Sequence, residues 1–370
     1  MSRPQNGQRN FFPFGNPFRI YLHKGSNFSS KLRELLFSFE KNLAEQLKKL
    51  KPKNVEDVFT LSWMRLSIQF LSDMHNSIRT LITDLQLPVS DWDEKWFDIY
   101  LDSSVKLLDI CIVLSSELSR LNQGQLLLQY VLHLLDISAG DTSSEVLTKA
   151  HLHIHERIEH SKSKSSKLES CPAMIVCLQG TLGYPKVKSP KGKVLMRALH
   201  GVKVMTVFIC GCFLAMLSGC SNAVVDSHVS DGFFWSEAFS DLQVVLNKEI
   251  KRQFAGGKVK ACKEIEEVEM VLHSLTKSLG CKKEHLQCST GINLEVETIP
   301  PAESSHSESH RIEECATKLA DRVKRLGDEL DSLSKEVNDF FQIVLVGRDA
   351  LLCNLRVSAS LQKSTNEMKS

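Results

Sequence analysis

The carboxyl-terminal part of the chain carries an apolar repeat that constrains its fold more than any other feature. Between residues 312 and 351, apolar or small residues recur at spacings that alternate between four and three. This heptad pattern predicts one helix over 310–357, about 60 Å long across the patterned stretch at ~1.5 Å per residue. The repeat positions are Ile312, Ala316, Leu319, Val323, Leu326, Leu330, Leu333, Val337, Phe340, Val344, Gly347 and Leu351.

Two interpretations of this helix are open. An exposed heptad stripe would recruit a partner as a coiled coil, whereas a wider apolar stripe would pack inside the protein's own bundle. Ile343, Leu345 and Leu352 lie outside the repeat and widen the stripe. We therefore favour a long helix that packs on the rest of the chain.

The amino-terminal half contains three further helical patterns, over 32–50, 59–85 and 92–121. Pro52 and Pro88 follow the first two, and Asp91 with Glu94 forms a capping-box signature before the third. We expect Gly124 to kink or end the third helix. Because short breaks between long helices favour antiparallel neighbours, the chain is predicted to be all-α, an elongated antiparallel helical bundle with a long C-terminal heptad-patterned helix.

Shifts in composition divide the chain. We expect a basic aromatic N-terminal arm over 1–26, a helical bundle over 27–280, a flexible polar linker over 281–309, the long helix over 310–357 packing on the bundle, and a disordered tail over 358–370. The arm has an alternative, because no acid precedes Glu34 while six basic residues do. Acid-poor basic amino termini are typical of organelle transit peptides.

Composition excludes several classes of protein. The chain has 370 residues with 46 Lys and Arg against 44 Asp and Glu, a net charge of +2, so we expect no nucleic-acid partner. Its 18 Gly and 10 Pro are too few for a turn-rich all-β chain. Eleven Cys without a CxxC pair predict buried free thiols in a reducing compartment.

One cluster resembles a metal site. His151, His155 and Glu159 fall on one helix face, but they lack the zincin pattern and a fourth ligand, so a solvated helix surface is favoured. The sequence also lacks a GxSxG elbow, a phosphate loop and a dinucleotide fingerprint. We expect no catalytic, cofactor-binding or metal-binding residues. The alternative is an enzyme with a helical pocket containing a buried His200 or His133.

An apolar helix is predicted over 195–225. Val204 to Val225 carries no charge and is long enough to cross a hydrocarbon core. Gly211, Ala215 and Gly219 recur every fourth residue, which predicts close helix packing. A transmembrane span remains open, but we favour a buried bundle helix with peripheral membrane contact.

The flank of this helix is basic and acid-free, which makes it a candidate contact for a membrane or a partner. The basic residues are Lys186, Lys188, Lys191, Lys193, Arg197 and Lys203. Ser189 precedes Pro190 and is a candidate site of proline-directed phosphorylation.

Several long strings resemble the plant BYPASS family, and they run along nearly the whole chain. They are FFPFGNPF (11–18), LITDLQLPVSDW (81–92), KWFDIYLDSSVKLLDIC (95–111), LNQGQLLLQ (121–129), PKVKSPKGKVLMRALHGVKVMT (185–206) and SKEVNDFF with GRDALLCNLR (334–356). The resemblance implies a developmental regulator that restrains production of a root-derived mobile signal that arrests shoot growth. It also implies regulatory partners of the 14-3-3 or exocyst type, and it carries over no catalytic or ligand residue.

These observations lead to one functional hypothesis. We expect a non-enzymatic plant developmental regulator without a cofactor, acting through helix-mediated contacts with proteins or an anionic membrane surface. We expect it on the cytosolic side of a membrane, with the endoplasmic reticulum as the first choice and the chloroplast as the alternative. The competing functions are a single-span membrane protein or trafficking adaptor, and an unrecognised enzyme of signal metabolism.

Overall fold

Each predicted apolar stripe forms a helix in the structure, a computed structural model. It describes residues 28–54, 57–86, 94–137, 144–162, 166–180, 187–218, 228–255, 262–289 and 303–367. The helices are α1 (Ser30–Leu50), α2 (Leu61–Leu85), α3 (Glu94–Ile137), α4 (Ser144–Lys162), α5 (Ser166–Gly180), α6 (Pro190–Ser218), α7 (Ser236–Ala255), α8 (Lys263–Ser289) and α9 (Glu303–Glu367). Within those described ranges every regular element is a helix, so the predicted all-α bundle with a long C-terminal helix is confirmed.

Side-chain caps fix where the first helices begin. Ser29 Oγ accepts the Leu32 N–H at 3.3 Å before α1, and Thr60 Oγ1 accepts the Trp63 N–H at 3.0 Å before α2. Such caps satisfy amide groups that have no partner within the helix. Glu264 of α8 accepts the Leu61 N–H at 3.0 Å, so a residue distant in sequence completes the α2 cap.

Contacts between helices define their directions. Trp63 meets Phe213, while Lys191 bonds to Gln86, so α2 and α6 are antiparallel. Arg348 bonds to Leu101, whereas Gln125 bonds to Val323, so α3 and α9 are also antiparallel. The two helices of each pair are not consecutive in the chain, so packing of their apolar faces rather than a short loop brings them together.

Helix α9 packs its heptad stripe against α2, α3 and α8. Leu330, Leu333, Val337 and Phe340 are at most 1% exposed, so the stripe belongs to the protein's own core rather than to an exposed coiled coil. The helix has 65 residues and reaches Glu367, beyond the predicted boundary of 357. Residues 358–367 contain neither Gly nor Pro, so nothing in the local sequence ends the helix earlier.

Other predicted boundaries also shift. Helix α8 continues through Gly280 to Ser289, and α9 begins at Glu303, so helical structure enters the predicted linker from both sides. One helical Gly costs only about 1 kcal/mol, which is too little to stop a well-packed helix. Likewise, α3 passes through Gly124 without ending. The predicted arm over 1–26 lies outside the described residues, as does Asp91.

Helix α6 forms the centre of the bundle and contacts α1, α2, α3 and α5. It begins at Pro190, earlier than predicted, because Ser189 caps it and Pro is favoured in the first turn of a helix. In the described part of the chain it is the one helix long and apolar enough to cross a membrane by length and composition. The rest of the protein buries 83% of the most apolar 18-residue stretch of this helix.

Candidate functional site at the amino-terminal end of helix α6

The start of α6 is built by a local turn. Ser189 Oγ accepts the Gly192 N–H at 3.4 Å, and the Ser189 carbonyl accepts the Lys193 N–H at 2.9 Å. Val187 is buried and folds back on Gly192, where an added Cβ would lie 2.5 Å from Val187 Cγ1. This close contact fixes the path of the chain as it enters the helix.

The basic residues of this turn are not equivalent. Lys188 and Lys193 are exposed. Lys191 is half-buried, and its Nζ donates to the Gln86 carbonyl at 3.0 Å, just after the last residue of α2. A cation is favourable at a helix carboxyl terminus, so Lys191 joins α2 to α6. Lys186 lies outside the described residues.

Arg197 points into the protein rather than toward solvent. Its guanidinium pairs with the carboxylate of Glu40, which is 4% exposed, and also donates to the Gly232 carbonyl. It lies 4.4 Å from the Phe233 ring centroid, a cation–π contact. Glu40 accepts the Phe234 N–H at 3.0 Å as well. The expectation that Arg197 contacts a membrane or partner is therefore corrected: it joins α1, α6 and the segment before α7.

Lys203 also turns inward, and its Nζ donates to Ser103 Oγ of α3 at 3.0 Å. Burial lowers the Lys203 pKa to about 8; the nearby positive charge of Lys106 adds to this effect, and Asp102 opposes it. Lys203 therefore does not belong to an exposed basic surface.

A serine beside a lysine of lowered pKa resembles the nucleophile and base of some hydrolases. Acyl transfer also needs donors that face the developing oxyanion. Ser103 lies in the interior of α3, where the backbone N–H groups bond within the helix. The pair joins two helices and lacks this part of a catalytic site.

The predicted close-packing residues lie in the core. Gly211 and Ala215 are buried in α6, while Gly219 is outside the described residues. A close contact occurs at Gly201, where an added Cβ would lie 3.0 Å from Leu43 and 3.3 Å from the indole nitrogen of Trp235. Sequence reasoning missed Gly201 because it precedes the uncharged segment, although it lies ten residues before Gly211 in the same helix.

The histidines do not assemble a site. His151 is half-buried, and His155 and Glu159 are exposed on α4. Within the described ranges no group of three His, Cys, Asp or Glu side chains could hold a metal ion. His200 stacks on Phe233 with ring centroids 5.3 Å apart. His133 is exposed, so the expectation that it lies in a buried pocket is wrong.

Known proteins match this chain along most or all of its length. The family model described as Protein BPS1 matches residues 67–352. The chain is 44% identical over 371 positions to "Protein BPS1, chloroplastic" of Arabidopsis thaliana, covering 100% of this chain and 97% of that protein. It is 42% identical over 453 aligned positions to "UPF0496 protein 4" of Oryza sativa subsp. japonica, covering 98% of this chain and 99% of the rice protein. No solved structure matches the chain.

Proposed function

The chain belongs to the BPS1 family, and we propose that it is a non-enzymatic plant regulator that restrains production of a root-derived mobile signal that arrests shoot growth. The observation that carries this proposal is the similarity over the full chain to a protein named for that family. The inward positions of Arg197 and Lys203 support the non-enzymatic part, because both cations join helices.

A plant that lacks this protein tests the proposal directly. Its shoot is expected to arrest while attached to its own root and to resume growth after grafting onto a normal root. A shoot that stays arrested on a normal root would contradict a root-derived signal. An arrest that feeding any single metabolite to the root relieves would favour the competing enzyme of signal metabolism.

We propose that the protein binds its partner surface through the exposed lysines at the start of α6, Lys188 and Lys193. Lys188 and Lys193 lie there on the surface, and beyond them the helix enters the core. Each Lys near an anionic membrane contributes roughly 1 kcal/mol of attraction, which falls as salt rises. An acidic lipid surface is therefore a suitable contact for this end of the bundle.

Vesicle flotation tests the membrane contact. The variant Lys188→Glu/Lys193→Glu is expected to lose most binding to vesicles with about 30% anionic lipid, and 0.5 M salt should release the unmodified protein. The matched control is Lys48→Glu/Lys49→Glu, which makes the same charge change on exposed residues at the end of α1. Lys191 is left unchanged because it also bonds to Gln86. Equal flotation of both variants would contradict the proposed surface.

We treat α6 itself as a core helix rather than a membrane span. Alkaline carbonate extraction of plant membranes is expected to release the protein into the supernatant. Retention in the membrane pellet would support the alternative of a single-span protein.

Phosphorylation of Ser189 is proposed to regulate the same surface. A phosphate at this position would stay at the amino terminus of α6, where the helix dipole favours negative charge, and would offset the neighbouring lysines. Ser189→Asp is expected to keep α6 capped and reduce flotation, whereas Ser189→Ala should cost about 1 kcal/mol of stability and keep flotation. Detection of phosphate on Ser189 in plant extracts by mass spectrometry is the companion measurement.

The partners and the location are part of the proposal. Regulatory proteins of the 14-3-3 or exocyst type are the partners to seek by proximity labelling with a functional fusion. We propose the cytosolic face of a membrane, with the chloroplast as the alternative that the name of the Arabidopsis relative supports. Imaging a carboxyl-terminal fusion, together with N-terminal sequencing of the mature protein, distinguishes them: loss of residues 1–40 would favour the chloroplast.

A further inference from the structure

Two arginines and a tyrosine from three helices converge on one side of α9. Arg79 belongs to α2, Tyr100 to α3 and Arg348 to α9. Burial raises the pKa of Tyr100 above its usual value, and the positive charges of Arg79 and Arg348, which lie close to the phenol, lower it. Burial is the larger effect, so the hydroxyl stays protonated at neutral pH and can donate a hydrogen bond to an anion.

Gly347 of α9 leaves a gap beside these side chains. An added Cβ at Gly347 would lie 3.5 Å from Tyr100 Oη and 3.8 Å from Arg79 Cδ, which are ordinary contact distances. A methyl group therefore fits without displacing either neighbour, and so does one oxygen atom of a ligand. The tyrosine hydroxyl and the arginine side chain border the same small space.

Arg348 is held in place while part of its guanidinium stays available. Its Nη1 donates to the Leu101 carbonyl at 2.7 Å and to Ser104 Oγ at 3.1 Å, both on α3. Its Nε and Nη2 have no acceptor among the described residues. These two nitrogens form the edge of an arginine that binds a phosphate or a carboxylate through two parallel hydrogen bonds. The bonds to α3 therefore orient Arg348 before a ligand arrives.

The two arginines lack an acidic partner within the described ranges. Neither Arg79 nor Arg348 forms an ion pair there. Other arginines do have carboxylate partners: Arg120 pairs with Glu117, Arg197 with Glu40, Arg252 with Glu249 and Arg322 with Glu267. The cluster therefore places two uncompensated positive charges beside one hydroxyl donor.

The nearest acids along α3 and α9 face away from the cluster. At 3.6 residues per turn, Asp98 and Asp102 lie about 160° around α3 from Tyr100. Asp349 is exposed and lies about 160° around α9 from Gly347. An anion from outside the chain is therefore the partner whose charge suits this cluster.

We propose that Arg79, Tyr100 and Arg348 form a binding site for a phosphate group, carried by a soluble small molecule or by a lipid headgroup. A phosphate monoester has a charge of about −1.5 to −2 at neutral pH and three terminal oxygens. Two cations and a hydroxyl donor match that charge and that number of oxygens, whereas a carboxylate offers one charge and two oxygens. Arg348 approaches the phosphate from α9, Arg79 from α2 and Tyr100 from α3.

The site lies at the same end of the bundle as the start of α6. Lys191 bonds to Gln86 just after α2, and Arg79 lies about two helical turns earlier on α2. The site includes neither Lys188 nor Lys193, so it is separate from the basic surface of the proposed function. Its position suits a lipid phosphate as well as a soluble one, and the two sources are distinguished by experiment.

Calorimetric titration of the full chain with inorganic phosphate, at constant ionic strength, tests the site. One binding site with a dissociation constant on the order of 1 mM is expected. Arg79→Gln should weaken binding at least about tenfold, and Tyr100→Phe, which removes one donor, about fivefold. The matched control is Arg65→Gln, the same change about 21 Å earlier on α2, which should leave binding unchanged.

Gly347→Ala tests the gap itself. The added methyl group fits beside Tyr100 and Arg79, so the fold should be kept, and the melting temperature should stay or rise because Ala favours a helix. Phosphate binding should nevertheless weaken several-fold, since the methyl group occupies the space of a ligand oxygen. A purely structural role of Gly347 would not combine a stable fold with weaker binding.

Flotation distinguishes the two sources of the phosphate. One set of vesicles contains about 10% phosphatidic acid, and the other contains phosphatidylserine at the same total charge, so the attraction of Lys188 and Lys193 is similar in both. If Arg79→Gln reduces flotation on phosphatidic acid alone, the site binds a lipid headgroup. If Arg79→Gln weakens phosphate binding in the calorimeter and floats normally on both, the site binds a soluble phosphorylated molecule.

Three results would overturn the proposal. The first is the absence of saturable phosphate binding, and the second is equal weakening by Arg79→Gln and Arg65→Gln. The third is acetate binding as tight as phosphate binding, which would exclude selection of a phosphate group. The calorimetric result does not depend on the proposed function, because no membrane is present and grafting tests the regulatory role separately.

Discussion

At the scale of single residues, two inward-facing arginines differ in how their charge is compensated. Arg197 has a buried carboxylate, a backbone carbonyl and an aromatic ring around its guanidinium. Arg157 is 3% exposed, and its Nε has no hydrogen-bond partner. Burial lowers the pKa of Arg157, the negative charge of Glu269 raises it, and the positive charge of Arg120 lowers it further. The charge of Arg197 is therefore compensated by an ion pair and hydrogen bonds, whereas the more deeply buried Arg157 keeps an unbonded Nε.

Removing Arg197 is expected to destabilise the protein strongly. Arg197→Met should lower the free energy of unfolding by about 3–5 kcal/mol, because it leaves the buried Glu40 without its cation. Urea denaturation measures the loss. The double change Glu40→Gln/Arg197→Met should recover part of it, and no recovery would show that the ion pair is not the cause.

Removing the charge of Arg157 is expected not to destabilise the protein. Arg157→Met should leave the free energy of unfolding unchanged or raise it by about 1 kcal/mol, because an incompletely bonded charge is costly to bury. The measurement is the same urea titration. A loss above about 2 kcal/mol would show that the guanidinium is well compensated in solution.

A buried histidine predicts sensitivity to acid. Burial lowers the pKa of His75 to about 4. The His75 ring packs edge to face on Phe340, with 5.3 Å between the ring centroids, and His75 Nε2 has no hydrogen-bond partner. The unfolded chain binds the proton near pH 6.5, so this contribution to stability is complete above pH 6.5 and lost as the pH falls toward 4. The expected loss is about 2 kcal/mol between pH 7.5 and pH 5.

Denaturation at both pH values, compared with His75→Met, isolates this effect. The variant should lose less stability on acidification, while other titrating groups act equally in both proteins. Burial raises the pKa of Glu264, which acts in the opposite direction, and the comparison cancels it. An identical pH dependence in both proteins would contradict the assignment to His75.

At the scale of helices, glycines mark where two helices are closest. An added Cβ at Gly327 of α9 would overlap Gln125 Nε2 of α3 and would lie 2.8 Å from the Cδ of the same side chain. Gln125 is fixed because it donates to the Val323 carbonyl at 3.3 Å. By contrast, an added Cβ at Gly180, the last residue of α5, meets no atom within 4 Å.

These two glycines give a matched pair of substitutions. Gly327→Ala should lower the free energy of unfolding by about 1–3 kcal/mol, because α3 and α9 must separate or the Gln125 bond must break. Gly180→Ala should leave stability unchanged or raise it by up to about 1 kcal/mol, because Ala favours the helix. Thermal melting measures both, and similar shifts would contradict close packing of α3 on α9.

At the scale of the whole molecule, five cysteines of the described residues pack in the core as small apolar side chains. Cys111, Cys171, Cys210, Cys212 and Cys262 are buried free cysteines, whereas Cys177 and Cys353 are exposed. Burial raises the pKa of Cys111 and Cys212 to about 12 and that of Cys171 to about 11. Thiols held in the protonated form react slowly, because the thiolate is the nucleophile.

Alkylation of the folded protein is expected to modify Cys177 and Cys353 within minutes. The five buried thiols should react only after unfolding in denaturant, because they must reach water first. Peptide mapping by mass spectrometry reads each position separately, and the denatured protein is the control. Rapid labelling of Cys210 in the folded state would contradict the central position of α6.

Periodicity predicted the helical class, the long C-terminal helix and the central role of the apolar segment. It could do so because helix hydrogen bonds are local and the buried stripe repeats with the helix turn. Helix ends were predicted less well, since Gly124 and Gly280 both lie inside helices and one helical Gly costs only about 1 kcal/mol.

The basic candidates show what only the tertiary structure decided. Lys188 and Arg197 belong to the same acid-free stretch, but Arg197 bonds to Glu40, which lies 157 residues away in the sequence. A repeat in the sequence identifies which face of a helix is apolar, but not which distant residue lies opposite a charge on that helix. The sequence alone therefore determined the helices and their buried faces, whereas the packing of distant helices decided which cations face solvent.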